Sequence, residues 1–224
     1  MKEDPFVSLL LRKCREHGIA FSEEQAHRVF QHVELMLEWN RRVNLTRITE
    51  PEQILNEHIL DSLIPAQWLP REGSILDVGS GPGFPGVPLK IFSSHRTVVL
   101  LESNRKKVSF LRVLLARLGM KSIAAVQGRW EEWERLAVPG IPRKYELIAL
   151  RSVRLDPRRF GDYARDSLGP GGVLAYWGGE LAFPPESLHE STPSPGSLRF
   201  RGKHPYTVPG LHKPRYLWLW EKGL

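Results

Sequence analysis

Residues 77–86 of this 224-residue chain read Asp-Val-Gly-Ser-Gly-Pro-Gly-Phe-Pro-Gly, three alternating glycines directly after an apolar run. The run itself, 74–78, predicts a short buried strand. Gly79, Gly81 and Gly83 can take positive φ and allow close approach, because glycine has no Cβ. The spacing therefore predicts a loop whose backbone touches a flat, polar ligand of the nucleotide type.

The loop satisfies two cofactor patterns at once. Residues 81–86 match the G-x-G-x-x-G of dinucleotide sites, and 77–83 match the D-x-G-x-G-x-G of S-adenosylmethionine sites. Both cofactors contain adenosine, and both kinds of site have an acidic residue at the end of the next strand that accepts hydrogen bonds from the ribose hydroxyls. Glu102 supplies that residue, 19 positions beyond Gly83, so it does not separate the two.

Two further observations favour S-adenosylmethionine. A compact nicotinamide enzyme is expected to carry a Tyr-x-x-x-Lys pair, and none of the five tyrosines is followed by lysine four residues later. Asp77, two residues before the first loop glycine, fits a carboxylate oriented towards the cationic methionine part of the cofactor. A dinucleotide site would instead need its loop for the pyrophosphate.

From residue 74 onward, strand patterns alternate with helix patterns, which predicts an α/β fold with a mostly parallel sheet covered on both faces. Ligands of such sheets bind at the carboxyl ends of the strands, where the strand order reverses. The tail breaks the alternation and predicts an antiparallel pair that closes one sheet edge. The predicted strands are 74–79, 97–102, 123–127, 145–150, 172–177, 198–208 and 215–221, and the predicted helices are 86–92, 104–118, 130–137 and 156–168.

The first 73 residues are predicted to be helical, an extension (1–73) packed on the core of the 74–224 domain. An amphipathic helix is expected over 6–16, and the capping box from Ser22 to Gln25 opens a long second helix. A second box, from Thr49 to Glu52, predicts a third helix through about residue 63. Residues 39–46 lie between the second and third predicted helices, and helical periodicity does not explain them. They form either a helix end with a solvated basic turn or a surface that contacts the molecule that reacts with the bound ligand.

Composition narrows the class of protein. Hydrophobic residues make up 41% of the chain, no run is long enough to span a membrane, and no signal peptide is recognised, so a cytoplasmic globular protein is expected. The single cysteine, Cys14, excludes a disulfide framework and a multi-cysteine metal site, and no metal is expected. The net charge of +7 divides into −3 for residues 1–73 and +10 for 74–224. The positive charge is concentrated in the region that contains the glycine loop. This distribution favours binding of a polyanion, most of all a nucleic acid, over a surface whose charges are merely solvated.

Several motifs, in order, resemble one family over nearly the whole chain. They resemble the bacterial small-subunit ribosomal RNA guanine-N7 methyltransferases, also called glucose-inhibited division protein B. The matching residues are Trp39-Asn40-Arg41-Arg42-Val43-Asn44-Leu45-Thr46, His58-Ile59-Leu60-Asp61-Ser62-Leu63, 77–88, Leu101-Glu102-Ser103-Asn104-Arg105-Lys106-Lys107 with Phe110-Leu111, and Gly128-Arg129-Trp130-Glu131.

The resemblance implies a class I S-adenosylmethionine-dependent methyltransferase fold and a set of cofactor contacts. It implies that the glycine loop contacts S-adenosylmethionine, that Glu102 holds the ribose, and that Arg151 is a catalytic and cofactor-side residue. This sequence differs from the expected family pattern at one position after the fifth strand, where Trp177 stands in place of a lysine. The cofactor-binding residues expected are Asp77, Gly79, Gly81, Gly83, Phe84, Glu102, Trp130, Glu131 and Arg151. For Trp130, packing under the following helix is the alternative.

The reaction implied is methyl transfer to N7 of a guanine in 16S ribosomal RNA, in the 530-loop region, with the RNA or the 30S subunit as partner and the protein as a monomer. Residues 150–154 lack the Asn/Asp-Pro-Pro-aromatic motif used to methylate the amino group of adenine. Methylation of pyrimidine C5 needs a nucleophilic cysteine, and the single cysteine, Cys14, lies on a predicted helix far from the predicted site in sequence. Both reactions are therefore disfavoured. Guanine N7 has a lone pair and no proton to remove, so alignment and electrostatics suffice. Arg154, Arg158 and Arg159 are expected to contact the phosphates of a flipped or loop nucleotide. A methyltransferase of another RNA or small molecule, and a non-catalytic RNA-binding factor, remain alternatives.

Overall fold

The computed structural model describes residues 1–136, 138–153, 157–181 and 196–224, with Glu134 and 157–160 described by their backbone alone. Within these ranges one sheet has the order β3-β2-β1-β4-β5-β7-β6. Strands β1 to β5 pair in parallel, and β7 pairs antiparallel with both β5 and β6. The antiparallel closure predicted from the tail is confirmed. The strands are β1 Ile75–Val78, β2 Val98–Glu102, β3 Ile123–Gln127, β4 Tyr145–Arg151, β5 Leu168–Gly178, β6 Leu198–Tyr206 and β7 Arg215–Lys222.

Helices cover both faces of the sheet. Every residue of β1 and β2 is buried, as continuous apolar strands between two helical layers should be. Two hydrophobic clusters result, one between the sheet and the N-terminal helices, and one under the opposite layer. The helices are α1 Glu3–Glu16, α2 Glu23–Asn40, α3 Pro51–Ile54, α4 Asp61–Leu63, α5 Gly86–Phe92, α6 Arg105–Arg117 and α7 Pro157–Ser167. The helix predicted over 130–137 is a shorter 3₁₀ helix, Trp130–Arg135.

The start of α2 follows its predicted capping box. Ser22 Oγ accepts a hydrogen bond from the Gln25 backbone N–H (3.1 Å), and Gln25 Oε1 accepts one from the Ser22 N–H (2.8 Å). The second predicted box is wrong, because α3 has Glu50 at its N-cap with no side-chain cap bond and Pro51 at its first position. Proline favours that position, since its missing N–H is not needed there. The helix therefore begins one residue later than a Thr49 cap requires.

The third helical stretch is not a single α-helix. A π-helical segment, Leu55–Leu60, separates α3 from α4, and a 3₁₀ segment, Ile64–Trp68, follows. His58 lies within the π-helical segment. Such local widening is frequent at functional sites, because it redirects side chains that a regular helix would point elsewhere. No helix among the described residues is both long and apolar enough to cross a bilayer.

Candidate active site at the glycine loop

The glycine loop begins where β1 ends, beside the point at which the strand order reverses between β1 and β4. Gly79, Gly81 and Gly83 have φ values of +70°, +55° and +97°, which L side chains rarely adopt. A Cβ on Gly79 would lie 2.8 Å from Val153 Cγ2, and one on Gly83 would lie 2.8 Å from Val87 Cγ2. A Cβ on Gly81 would come no closer than 3.9 Å to another atom. Gly79 and Gly83 therefore serve the protein's own packing, whereas Gly81 borders open space.

Two buried carboxylates hold this loop from inside. Asp77 Oδ2 accepts a hydrogen bond from the Gly86 N–H at 2.9 Å. Glu102 Oε2 accepts one from the Gly81 N–H at 2.9 Å, and its Oε1 accepts one from the Asn104 N–H at 2.7 Å. Asp77 is fully buried, and burial raises the pKa of its carboxyl group to about 7. One oxygen of Asp77 thus faces the N-terminus of α5, and the expected orientation of this carboxylate towards the methionine part of the cofactor stays a prediction.

Two clefts meet at Gly79. The first, the Trp130 cleft, has a volume of about 280 Å³ and lies at the carboxyl ends of β1 and β2. The second, the Arg151 cleft, has a volume of about 220 Å³ and lies between β4 and the N-terminal helical region. The Trp130 cleft is lined by Gly79, Ser103, Gly128, Trp130, Glu131 and Val153, with others. The Arg151 cleft is lined by Leu45, Thr46, His58, Gly79, Ser80, Gly81, Pro82, Phe84, Lys107, Arg151 and Ser152.

In the Trp130 cleft, two neighbouring residues differ in exposure. The indole of Trp130 is buried, and its Nε1–H donates to Ser167 Oγ at 3.0 Å. Its ring also packs against Tyr163 on α7, with 5.8 Å between centroids. Glu131, by contrast, is exposed. The Trp130 side chain thus packs under α7, as the alternative interpretation of this residue expected, and the Glu131 side chain remains open to a ligand.

One wall of the Arg151 cleft is a stack of three rings. Phe84 lies between His32 and His58, with centroid distances of 4.8 Å and 4.6 Å. Burial lowers the pKa of His32 to about 4, and its Nε2–H donates to the Pro82 carbonyl at 2.7 Å. Burial, and then the nearby positive charge of Arg151, lowers the pKa of His58 to about 3. Both imidazoles are therefore neutral near pH 7, and they hold Phe84 in place without adding charge.

Arg151 ends β4 with its guanidinium group partly enclosed by the N-terminal region. Its Nη2–H donates to the Glu57 carbonyl and also to His58 Nδ1, at 3.3 Å. Its Nε lies 3.0 Å from Asp61 Oδ2 in an ion pair. The buried Nη1 has no hydrogen-bond partner among the described residues. One donor group of this cleft residue thus stays available.

Asp61 connects Arg151 to the last strands. Arg215 binds its carboxylate at two points, Nε to Oδ1 (3.0 Å) and Nη2 to Oδ2 (2.7 Å), and the Tyr206 hydroxyl donates to Oδ1 (2.8 Å). Asp61 is only 1% exposed, so its charge is stabilised by these partners and not by water. One buried carboxylate on α4 therefore joins β4, β6 and β7.

The structure brings together most, but not all, of the residues expected from sequence. Gly79, Gly81, Phe84, Trp130, Glu131 and Arg151 line the two clefts, whereas Asp77, Gly83 and Glu102 lie behind them. Arg154 lies outside the described residues, and Arg158 and Arg159 are described only as backbone of α7. Trp177 is fully buried and belongs to the core.

Sequence reasoning assigned no role to several cleft residues. Thr46 and His58 lie within two of the family motifs, and Ser103 and Lys107 lie within the motif that contains Glu102. The signal that marks them is their position in ordered motifs that helical or strand periodicity does not explain. Their convergence on one cleft supplies that explanation, because segments far apart in the chain meet there.

These features fit S-adenosylmethionine. Gly81 leaves open space against which a ligand can lie, Glu102 keeps the loop in that conformation, and Arg151 offers an unpaired buried donor. The sheet order, the reversal between β1 and β4, and a glycine loop at that point define the class I S-adenosylmethionine-dependent methyltransferase fold.

Comparisons with known proteins identify the family within that class. The family described as rRNA small subunit methyltransferase G matches residues 25–203. Ribosomal RNA small subunit methyltransferase G 1 of Syntrophobacter fumaroxidans is 48% identical over 99% of both chains. The chain belongs to the rRNA small subunit methyltransferase G family.

Solved structures agree on the fold. A mutant of MtNAS in complex with S-adenosylmethionine aligns with 90% of this chain and 78% of its own, at a TM-score of 0.56 and 13% identity. A putative rRNA-methylase from Clostridium thermocellum aligns with 71% of this chain and 92% of its own, at a TM-score of 0.51 and 14% identity.

Proposed function

We propose that this protein transfers the methyl group of S-adenosylmethionine to N7 of a guanine in 16S ribosomal RNA. The junction of two clefts at Gly79 carries the proposal. Such a junction suits a reaction in which two ligands meet, with adenosine in the Trp130 cleft and the target base in the Arg151 cleft. The cofactor supplies a methyl group activated by a sulfonium centre. The protein supplies binding, orientation and exclusion of water.

Residues of the two clefts divide these tasks. We assign the adenine end of the cofactor to Trp130 and Glu131, and its passage across the loop to Gly79 and Gly81. Glu102 and Asp77 act as positioning residues, because their carboxylates bind loop amides. We also propose that Glu102 contacts the ribose. A carboxylate can accept more hydrogen bonds than the two that the Gly81 and Asn104 amides donate to it.

The Arg151 cleft suits guanine N7 chemistry because that chemistry needs no general base. Its walls combine the apolar Leu45, Pro82 and Phe84 with the cationic Lys107 and Arg151. An apolar surface accepts a flat base, and the cations attract its phosphates. His58 is neutral and bonded at both nitrogens, so no proton transfer is assigned to it.

Basic residues around this cleft support an RNA substrate. Arg41, Arg42 and Arg47, from the turn before Thr46 and the residue after it, are exposed. None of the three forms an ion pair with a described acidic residue, so each is free to neutralise a phosphate. We propose that Arg154, Arg158 and Arg159, which follow β4 in the sequence, also contact phosphates of a flipped nucleotide. We further propose that the helical extension 1–73 forms one wall of the path for this nucleotide, and that the protein acts as a monomer.

Mass mapping of methyl groups on ribosomal RNA from cells with and without this protein tests the function directly. Loss of one N7-methylguanine from 16S RNA is expected. In vitro, methyl incorporation is expected on undermethylated 30S subunits and not on free nucleosides. Incorporation only on another RNA or a small molecule would replace the substrate, and cofactor binding without incorporation on any substrate would favour a non-catalytic factor.

A further inference from the structure

Thr46 is held in the Arg151 cleft by two hydrogen bonds that it accepts. The Ile48 backbone N–H donates to its Oγ1 at 3.1 Å, and His58 Nε2 lies 2.9 Å from the same oxygen. On the other side of the imidazole, Nδ1 lies 3.3 Å from Arg151 Nη2. A guanidinium group can only donate, so His58 Nδ1 is the acceptor and Nε2 carries the proton. His58 therefore donates to Thr46.

This arrangement leaves one function for the Thr46 hydroxyl group. A hydroxyl has two acceptor positions and one proton, and the Ile48 and His58 donors occupy both acceptor positions. The proton must be donated elsewhere, and no acceptor among the described residues receives it. Since Thr46 lines the Arg151 cleft, the donor is available to a ligand there.

We infer that the Thr46 hydroxyl donates a hydrogen bond to O6 of the target guanine and is a specificity-determining residue of this site, with His58 and Arg151 positioning it. The inference rests on the proposed function. The N7 edge of guanine carries two adjacent acceptors, N7 and O6, whereas adenine presents an amino donor at the second position. When N7 points at the methyl group, a donor fixed beside it pairs with O6 and opposes an amino group.

The surroundings of Thr46 favour a base over the cofactor's carboxylate. Its neighbours in the cleft include Leu45, Pro82 and the Phe84 ring, which are apolar and suit a flat heterocycle. A half-buried donor with no protein partner also gives discrimination, because a base without the acceptor leaves that donor unsatisfied. Binding of the cofactor carboxylate by Thr46 is the outcome that the test below separates.

A thermodynamic cycle between enzyme and substrate tests the inference. Wild type and Thr46→Val are compared on small subunits reconstituted with 16S RNA that carries either guanine or 2-aminopurine, which lacks O6, at the methylated position. On guanine, kcat/KM should fall by about tenfold or more in Thr46→Val. On 2-aminopurine the same substitution should change little, so the two losses are not additive. Thr46→Ser, which restores the hydroxyl, should recover most of the coupling.

Controls separate this role from a structural one. Thr49→Val makes the same chemical change at an exposed position nearby and should leave both rates unchanged. Thr46→Ala leaves room for a water molecule to bond Ile48 and His58, and it serves as a second arm if Thr46→Val is unstable. Equal losses on both bases, or a loss of S-adenosylmethionine affinity in calorimetry, would overturn the inference while the proposed function stands. Absence of guanine methylation by wild type would overturn both.

Discussion

Glu102 at the end of β2 and Gly81 in the glycine loop are joined by a 2.9 Å hydrogen bond from the Gly81 N–H to Oε2. The bond fixes the loop from behind, on the side away from open space. A loop that is ordered before the ligand arrives spends less binding energy on ordering, so preorganisation raises affinity. Glu102 thus contributes to cofactor binding through the backbone that it holds.

The loop glycines should separate stability from binding. We expect Gly83→Ala to lower the free energy of unfolding by about 2 kcal/mol or more, because the positive φ and the close contact with Val87 both disfavour a side chain. Gly81→Ala should cost about 1 kcal/mol for its φ alone but weaken S-adenosylmethionine binding by about tenfold or more. Urea unfolding and calorimetry measure the two effects. The same pattern in both variants would contradict this division.

Removing the charge of Asp61 should be strongly destabilising. In Asp61→Asn, the half-buried Arg215 and Arg151 lose the buried negative partner that they share, and a loss of about 3 kcal/mol in the free energy of unfolding is expected. Glu24→Gln provides the matched control, because the exposed ion pair of Glu24 with Arg28 should contribute little. Denaturation of both variants in urea checks the contrast, and comparable losses would argue against it.

Asp77 should give the protein a pH dependence of known sign. Its folded pKa of about 7 lies above the unfolded value of 3.8, so the folded state binds the extra proton between those values. This contribution to stability is present below pH 4 and is lost as the pH rises towards 7. Asp77→Asn cannot ionise, so its stability relative to wild type should increase over that interval. Unfolding measured at pH 4.5 and pH 7.5, about the two ends of the window, would show a constant difference if Asp77 does not titrate there.

His32 should act in the opposite direction. Its folded pKa of about 4 lies below the unfolded value of 6.5, so stability is lost as the pH falls through that interval. His32→Phe keeps a ring against Phe84 but has no proton to gain, and it should remove this part of the acid sensitivity. The comparison is made by urea unfolding across the same pH interval, with His58 unchanged in both proteins. An identical acid response in the variant would mean that His32 is not the group responsible.

Local pattern was sufficient for most of the fold. Apolar strands, alternating helices and the antiparallel tail predicted the sheet, because each is decided by neighbours in sequence. The N-cap predicted at Thr49 is wrong because two local preferences compete there: threonine favours the N-cap position, and proline favours the first helical position. The helix begins at Pro51. The π-helical segment around His58 had no recognisable pattern, since it follows from tertiary packing.

The site was predicted in part for the same reason. The glycines follow from their spacing, but the direction of the Asp77 side chain depends on α5, and a loop motif does not report it. The ion pairs of Asp61 could not be predicted from the sequence, because Arg215 lies 154 positions away and no periodic pattern relates the two residues. Thr46 became interpretable only once His58 and Arg151 were seen beside it.

The bonds of Asp61 also bear on the order in which the protein matures. Its three partners, Arg151, Tyr206 and Arg215, all come late in the chain, so loop closure over long separations precedes their pairing. A growing polypeptide can form the glycine loop with β1 and β2 well before β7 is synthesised. The Arg151 cleft therefore gains its final geometry only when β7, the last strand of the described sheet, joins it.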